Sequence, residues 1–281
     1  MRLAFVVSRF PYPISRGDQL RAYYQLRLLS QRYSITLFAP APKALPFKAK
    51  DLRVVLPFVD QIELVPVGVC SISLGLMRSY FRGQPLQVGW FCSPELVRSV
   101  QRCFSNFDLL HVQLSRLGPI GVRFGGPKML DMVDALSLNL ARRTGKERWP
   151  WSTLWASEAR RMQVYETQLV NIYDHLAVVS AKDLEAIGSH EKIRVVPNGF
   201  DVDVHEYVGR KPRAATVIFT GRMQYFPNWE AAIYLVKRVL PLVRTKVPGV
   251  KVMLVGADPP PRIIRLQREP GVLVTGWVPS L

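Results

Sequence analysis

The sequence predicts an α/β protein built on parallel, doubly wound sheets. Continuous apolar runs, which are typical of strands covered on both faces, alternate with segments of helical periodicity. The run Leu3–Val7 leads through a loop to a helix pattern with Asp18 as its N-cap. Similar runs follow at Asp108–Gln113, Lys128–Val133 and His175–Val179, and this alternation indicates a parallel sheet with helices on both faces.

Composition narrows the class of protein and of partner. The chain has 281 residues, 48% hydrophobic and 21% charged, which is enough apolar material for the cores of one or two globular domains. Its formal net charge of +17 favours anionic partners, namely nucleic acid, lipid headgroups or diphosphate-bearing substrates. No nucleic-acid-binding motif is recognisable, so we expect no nucleic-acid partner.

Cysteine usage and the apolar segments bear on location. Cys70, Cys92 and Cys103 are odd in number and form no CxxC, which favours free thiols in a reducing cytosol. Leu3–Val7 is too short for a signal-peptide core, and the longest apolar stretch, Leu64–Met77, is interrupted and too short to span a bilayer. We therefore predict a cytoplasmic protein, soluble or peripherally attached to the inner face of the plasma membrane.

Two strand-like runs in the second half end in distinctive residues. Ile193–Val196 runs into Pro197-Asn198-Gly199, which by itself is most often a tight turn. Ala215–Thr220 runs into Gly221-Arg222, and a helix is expected to start at Pro227-Asn228. A strand that ends in Gly-Arg just before a helix places a cation beside free backbone N–H groups, an arrangement that binds phosphate.

These motifs resemble a known family. VVPNGFD followed by FTGR is similar to the inter-domain junction and the first C-domain loop of retaining GT-B glycosyltransferases, which use nucleotide sugars. The variants FTGRMQYFPNWEA and RFPYPISRGDQLR resemble bacterial exopolysaccharide sugar transferases. The resemblance implies a hexosyltransferase with a nucleotide-diphosphate sugar donor and a glycan or lipid-linked acceptor.

The resemblance also implies a domain organisation. It predicts the GT-B fold, with two Rossmann-like doubly wound domains: residues 1–189 bind the acceptor, and residues 190–281 are the first half of the donor-binding domain. The family's paired-glutamate motif has no counterpart here. We therefore expect the chain to be C-terminally truncated and, as written, not a competent transferase.

Most site residues are assigned by this resemblance. Arg222, in the loop that begins at Gly221, is expected to stabilise the leaving diphosphate, and Asn198 to lie at the donor side of the junction. Trp277 and Val278 would flank the nucleotide base. Gly17 lies in the loop that approaches the transferred sugar and the acceptor; because no GxGxxG accompanies it, the alternative is a turn glycine.

The strand Asp108–Gln113 carries a departure from the family. Its relatives carry a catalytic-type histidine two residues after a first, structural histidine, and here His111 is followed at that distance by Gln113. Gln113 can hydrogen-bond the sugar but cannot titrate. We expect His111 to be a buried, hydrogen-bonded residue.

Two pairs of acidic residues lie at or after the ends of predicted strands. Asp131 and Asp134 close a strand, where they could serve acid–base chemistry or cap the following helix, and the sequence leaves both alternatives open. Asp201 and Asp203 form a DxD, which elsewhere binds a metal–diphosphate complex, but directly after Pro-Asn-Gly they fit the junction better. We predict no metal and no cofactor.

A basic, tryptophan-containing segment suggests a membrane surface. Arg142, Arg143, Lys146 and Arg148 precede Trp149, and aromatic residues beside cations suit a bilayer interface. Trp155, further along, is instead expected to face the protein core. An anionic membrane is therefore a possible partner.

Two rival functions remain. A non-hydrolysing nucleotide-sugar epimerase would share the fold, but the pairing of the two motifs argues against it. A catalytically inactive homologue that serves as a membrane- or partner-binding scaffold would fit the missing glutamate motif.

Overall fold

The computed structural model describes residues 1–42, 52–145, 148–199, 201 and 215–278. The chain divides into two compact units, Met1–Phe200 and Asp201–Leu281. This division falls later than the boundary expected after Ser189. The reason is that Ile193–Val195, assigned from the sequence to the second domain, pairs in parallel with His175–Val178 and so completes the first sheet.

A parallel sheet forms the centre of the first unit. Within the described residues it has seven strands in the order β3-β2-β1-β4-β5-β6-β7. They are β1 Arg2–Val6, β2 Ser34–Pro40, β3 Gln61–Val65, β4 Leu109–Gln113, β5 Lys128–Val133, β6 His175–Val178 and β7 Ile193–Val195. The strand order reverses between β1 and β4, and ligands of such sheets bind outside the carboxyl ends of the strands at this switch point.

Helices cover both faces of this sheet. They are α1 Gly17–Leu29, α2 Leu52–Val55, α3 Val69–Phe81, α4 Leu86–Phe91, α5 Pro94–Arg102, α6 Leu136–Thr144, α7 Trp151–Leu169 and α8 Ala181–Ile187. Ser93 caps the start of α5, because its Oγ accepts a hydrogen bond from Leu96 N at 3.2 Å. A 3₁₀ segment, Ser115–Arg123, follows β4 directly.

The core of the first unit lies on both faces of the sheet. Alternate residues of β1 point to opposite sides: Ala4 and Val6 join one apolar cluster, whereas Leu3 and Phe5 join the other. Because both faces of the strand are buried, its sequence is a continuous apolar run rather than an alternating pattern.

The second unit contains a smaller parallel sheet. Its described strands are β8 Thr216–Thr220, β9 Lys251–Val255 and β10 Val272–Gly276, in the order β10-β9-β8. Its helices are α9 Phe226–Tyr234, α10 Leu240–Lys246 and α11 Pro261–Ile264. Pro241 lies in the first turn of α10, directly after a π-helical turn, Leu235–Val239, that joins α9 to α10.

Candidate active site

A buried ion pair organises the carboxyl edge of the first sheet. Arg21 of α1 donates from Nε to Asp131 Oδ2 at 2.6 Å and from Nη2 to Asp131 Oδ1 at 3.2 Å, and both side chains are buried. Gln25 Nε2 donates to the same Oδ2 at 2.6 Å. Asp131 is therefore an ion-pair residue that fixes α1 on the sheet, rather than an acid or base open to a substrate.

The same arginine holds the loop that follows β7. Arg21 Nη1 donates to the backbone oxygen of Val196 at 3.0 Å and to Asn198 Oδ1 at 2.9 Å. Asn198, predicted as a donor-site residue, is thus placed at the end of β7 with its carbonyl oxygen engaged by α1 of its own unit.

The two notable residues of β4 have different surroundings. Gln113 is buried, and its Nε2 donates to the backbone oxygen of Asp18 at 3.1 Å, so it lies beside the start of α1.

His111 is buried as predicted and stacks on Phe5 with ring centroids 4.3 Å apart. Its Nε2 has no hydrogen-bond partner among the described residues, so the predicted hydrogen bond is wrong at that atom. Burial lowers the pKa of His111 to about 4, which leaves the ring neutral near pH 7.

Asp134 differs from Asp131 although the two are close in sequence. It is only partly buried, and burial followed by the charge of Asp183 raises its pKa. Asp183 is itself occupied, since its Oδ1 accepts from Ala135 N at 3.0 Å. Of the two strand-end acids that the sequence left open, Asp134 is therefore the one able to exchange a proton at this edge.

Arg116 belongs to this edge although the sequence reasoning did not single it out. It lies in the 3₁₀ segment after β4 and is buried, and its Nη2 donates to Ser8 Oγ, beyond the end of β1, at 3.0 Å. Its guanidinium lies 3.6 Å from the ring centroid of Phe91. The sequence around Arg116 does not predict its burial, because its partners come from distant parts of the chain.

In the second unit the strand ends are tied closely together. Gly221 N donates to Val255 O at 3.0 Å, and Gly256 N donates to Gly276 O at 2.9 Å. A Cβ atom on Gly256 would lie 1.8 Å from Gly221 O, so only glycine allows this approach of the ends of β8 and β9.

Arg222 lies at this edge, in the loop between β8 and α9. Its Nη2 is 3.8 Å from Asp258 Oδ2, and the two side chains are 43% and 54% exposed. Such a long, solvated pair contributes little, so the guanidinium can reach an anionic ligand at small cost. Asn228 Nδ2 donates to Arg222 O at 3.0 Å and fixes the backbone of the loop against the first turn of α9.

Trp277 and Val278 follow β10 on the same edge. The Trp277 side chain is 72% exposed, while Val278 is half-buried. The structure thus brings Gly221, Arg222 and Trp277 to one edge of the second sheet. It brings Gly17 and Gln113, with Asn198, to the carboxyl edge of the first.

The predicted absence of a metal stays a prediction. Within the described residues no group of three or more His, Cys, Asp or Glu side chains is placed to hold a metal ion. Asp201 is described, but Asp203, the second acid of the DxD, lies outside the described residues.

The basic tryptophan segment spans the end of α6 and the start of α7. Trp149 is 80% exposed, and Trp155 packs against the core as predicted, with the Arg143 guanidinium 4.0 Å from its ring centroid. Lys146 lies outside the described residues. None of the described helices combines the length and apolar character needed to cross a bilayer.

Comparison with known proteins gives similarity in structure alone. No family model matches the chain, and no curated protein matches it in sequence. The chain is similar to sucrose-phosphate synthase of Thermosynechococcus elongatus, with 12% identity, a TM-score of 0.60, and 99% of this chain and 71% of that one covered.

Two further solved structures agree. A glycosyltransferase from Rickettsia africae has 11% identity and a TM-score of 0.56, with 99% and 69% covered. A UDP-forming α,α-trehalose-phosphate synthase from Burkholderia xenovorans, in complex with glucose-6-phosphate, has 11% identity and a TM-score of 0.55, with 100% and 75% covered. The predicted fold class is thereby confirmed: the chain has the GT-B fold, with two Rossmann-like α/β units, the second of which has the smaller sheet, with three described strands.

Proposed function

We propose that the protein is a hexosyltransferase that moves a sugar from a nucleotide-diphosphate sugar to an acceptor hydroxyl with retention of configuration. The observation that carries this proposal is the edge of the second sheet, where the solvated Arg222 stands between a glycine-lined strand end and the start of α9. The solved structures to which the chain is similar include glycosyltransferases, which supports the reaction class. Retention rests on the resemblance of the two motifs.

The chemistry follows from where charge develops. When the bond between the sugar and the diphosphate breaks, negative charge grows on the phosphate oxygens. The guanidinium of Arg222 would stabilise that charge by charge-assisted hydrogen bonds, helped by the N–H groups at the start of α9. This arrangement needs no metal. Trp277 would stack on the nucleotide base through its exposed face.

The first unit would supply the acceptor side. Gln113 offers an amide that can hydrogen-bond a sugar hydroxyl without changing its charge, and Gly17 leaves room at the start of α1 for the reacting groups. Asp134, with its raised pKa, is the carboxyl group at this edge best suited to take a proton from the acceptor hydroxyl.

Location at a membrane is part of the proposal. We infer a role in bacterial polysaccharide or glycolipid synthesis, at the cytoplasmic face of an anionic membrane. In the same unit, α3 also exposes Leu74, Met77 and Phe81, the last of these 82% exposed. Exposed apolar side chains near basic ones fit a bilayer interface better than open water.

Replacement of Arg222 by alanine tests the donor site. We expect R222A to weaken binding of UDP or GDP by about 1.5–3 kcal/mol, the usual contribution of a charge-assisted hydrogen bond, measured by titration calorimetry. R238A, which removes an exposed arginine from the π-helical turn of the same unit, is the matched control and should bind as the unaltered protein does. Equal affinity in R222A would refute the assignment.

An assay of turnover separates the enzyme from the scaffold. The protein is incubated with a panel of nucleotide sugars and candidate acceptors, and release of the nucleoside diphosphate is measured. Sugar transfer supports the proposal. Nucleotide binding without hydrolysis or transfer on any pair would favour the inactive, membrane- or partner-binding homologue instead.

A further inference from the structure

Three arginines gather where β1 and β4 end and α1 begins. We call Arg9, Arg16 and Arg116 the arginine cluster. Arg9 follows β1, Arg16 immediately precedes α1, and Arg116 follows β4. All three belong to the first unit, so the cluster is distinct from the Arg222 edge of the second.

Arg116 is the buried member, and its hydrogen bonds are incomplete. The residue is only 6% exposed, and its guanidinium is stacked on Phe91. Nη2 donates to Ser8 Oγ at 3.0 Å, while Asp18 Oδ2, at 3.7 Å from Nη2, is too far for a hydrogen bond. Nε has no partner among the described residues. A buried guanidinium with an unused donor is costly unless an acceptor completes it.

The charges of the cluster do not balance. Asp18 is the neighbouring acid, and it is already bound by Arg9, whose Nη1 lies 2.5 Å from Asp18 Oδ2. Burial, then the charges of Arg9 and Arg16, lower the pKa of Arg116 to about 9, against the opposing effect of Asp18. The guanidinium is still charged at neutral pH. Three guanidinium groups against one carboxylate leave an excess of positive charge that a doubly negative anion would neutralise.

The start of α1 adds a second feature that favours an anion. This helix has 13 residues and its N-cap residue is Arg16, whose guanidinium carries only donors and therefore offers no capping acceptor to the N–H groups of the first turn. A Cβ atom on Gly17 would meet no described heavy atom within 4 Å, so the space in front of the first turn is open. Uncapped N–H groups and the positive end of the helix dipole face that space.

We propose that the arginine cluster and the start of α1 bind a phosphoryl group carried by the acceptor. The acceptor would then be a phosphorylated molecule, either a soluble sugar phosphate or a lipid-linked phosphate. A phosphoryl group offers two negative charges and three oxygens, which match the excess charge and the separate donors better than the single charge of a carboxylate. That the phosphorylated molecule is the acceptor rests on the proposed function, whereas the phosphoryl site itself rests on the arginine cluster and the start of α1.

Binding of matched ligands to the full chain tests this site. Titration calorimetry at constant ionic strength compares glucose 6-phosphate with glucose, and a short-chain polyprenyl phosphate with the matching polyprenol in detergent. We expect the phosphorylated member of at least one pair to bind roughly tenfold or more tightly. The pair that shows the preference identifies the source of the phosphoryl group.

Variants assign the binding to the cluster. Arg9 is partly exposed and Arg16 is exposed, so R9Q and R16Q should both fold. Each is expected to lower the affinity for the phosphorylated ligand roughly tenfold. R102Q removes an exposed arginine from α5 and is the charge-matched control, which should bind normally. R116M should abolish the preference if it folds, as circular dichroism would show.

Three outcomes would overturn the inference. They are no preference for either phosphorylated ligand, unchanged binding in both R9Q and R16Q, or glucuronate binding as tightly as glucose 6-phosphate. UDP and GDP titrations on the same variants keep this test apart from the proposed function. If R222A loses nucleotide binding but the protein shows no preference for a phosphorylated ligand, only the phosphoryl inference is wrong. If the protein prefers the phosphorylated ligand but R222A binds nucleotide normally, the phosphoryl site stands and the donor-site assignment is wrong.

Discussion

At the scale of single residues, the two strand-end acids of the first sheet have opposite roles. Asp131 neutralises a buried arginine, and its partners Arg21 and Gln25 both come from α1. Asp134 is partly exposed and costs energy to ionise. Residues three positions apart thus differ in environment, because β5 ends between them at Val133.

This difference predicts a contrast in stability. D131N should lower the free energy of unfolding by roughly 3–5 kcal/mol, because it leaves the charge of Arg21 buried without its partner. D134N should be as stable as the unaltered protein or more stable near pH 7. Urea denaturation followed by circular dichroism measures both, and a D131N variant as stable as D134N would contradict the role given to the ion pair.

The pH dependence of the D134N effect has a definite sign. Because the pKa of Asp134 is raised on folding, the folded state binds its proton more tightly, so the cost of ionisation appears as pH rises from the unfolded pKa through the folded one. Any gain from D134N should therefore vanish below about pH 3.9, the ordinary pKa of an aspartate. A gain that grows in acid would reverse this interpretation.

At the scale of elements, the close approach of two strand ends shapes the proposed donor site. The glycine at position 256 lets β9 end against the backbone oxygen of Gly221, directly before Arg222. A methyl group there must push β8 and β9 apart where Arg222 is held.

G256A should therefore lower the free energy of unfolding by about 1–3 kcal/mol and weaken nucleotide binding as well. G249A, at a site in the same unit where a Cβ atom meets no described heavy atom within 4 Å, is the matched control and should change neither quantity. Thermal unfolding and nucleotide titration check the pair. Normal nucleotide affinity in a folded G256A variant would show that the close contact at position 256 is not needed for nucleotide binding.

The exposed faces of α3 and of the start of α7 predict membrane binding. The two helices are neighbours, because the guanidinium of Arg161, in the middle of α7, lies 5.7 Å from the ring centroid of Tyr80 on α3. Basic residues near an anionic surface contribute about 1 kcal/mol each, so binding should fall as salt is added. We expect sedimentation with vesicles that contain phosphatidylserine and little with purely zwitterionic ones.

Two variants locate the binding. A double replacement of Trp149 and Phe81 by serine should reduce sedimentation several-fold by removing apolar contact area. Leu242→Ser, which alters an exposed apolar residue of the second unit, is the control. Equal binding to neutral and anionic vesicles would count against the basic residues, and unchanged binding by the double variant would count against this face.

At the scale of the whole molecule, the net charge of +17 favours anionic partners, in line with the anion sites proposed at the two sheet edges. The proposed donor chemistry relies on arginine and backbone N–H groups for charge stabilisation. Treatment with EDTA should therefore leave nucleotide binding, and any sugar transfer, unchanged. A loss restored by manganese would mean that the aspartate pair at 201 and 203 binds a metal after all.

The sequence by itself determined the α/β class and most of the strands, because a strand buried on two faces must be written as a short apolar run. It also determined the Gly221-Arg222 loop and the helix after it, since glycine, arginine and proline are local signals. The caps at Ser93 and Ser180 are equally local, since the Oγ of each accepts from a backbone N–H three residues later.

Only the tertiary structure decided which sheet each strand joins and which charges are buried. β7 could not be assigned locally, because its pairing with β6 depends on hydrogen bonds between separate segments. The Arg21–Asp131 pair joins residues 110 positions apart, and Arg116 meets Ser8 across 108. Burial and pairing over such separations are set by the packing of the whole unit, which is why the pattern around any one of these residues does not reveal them.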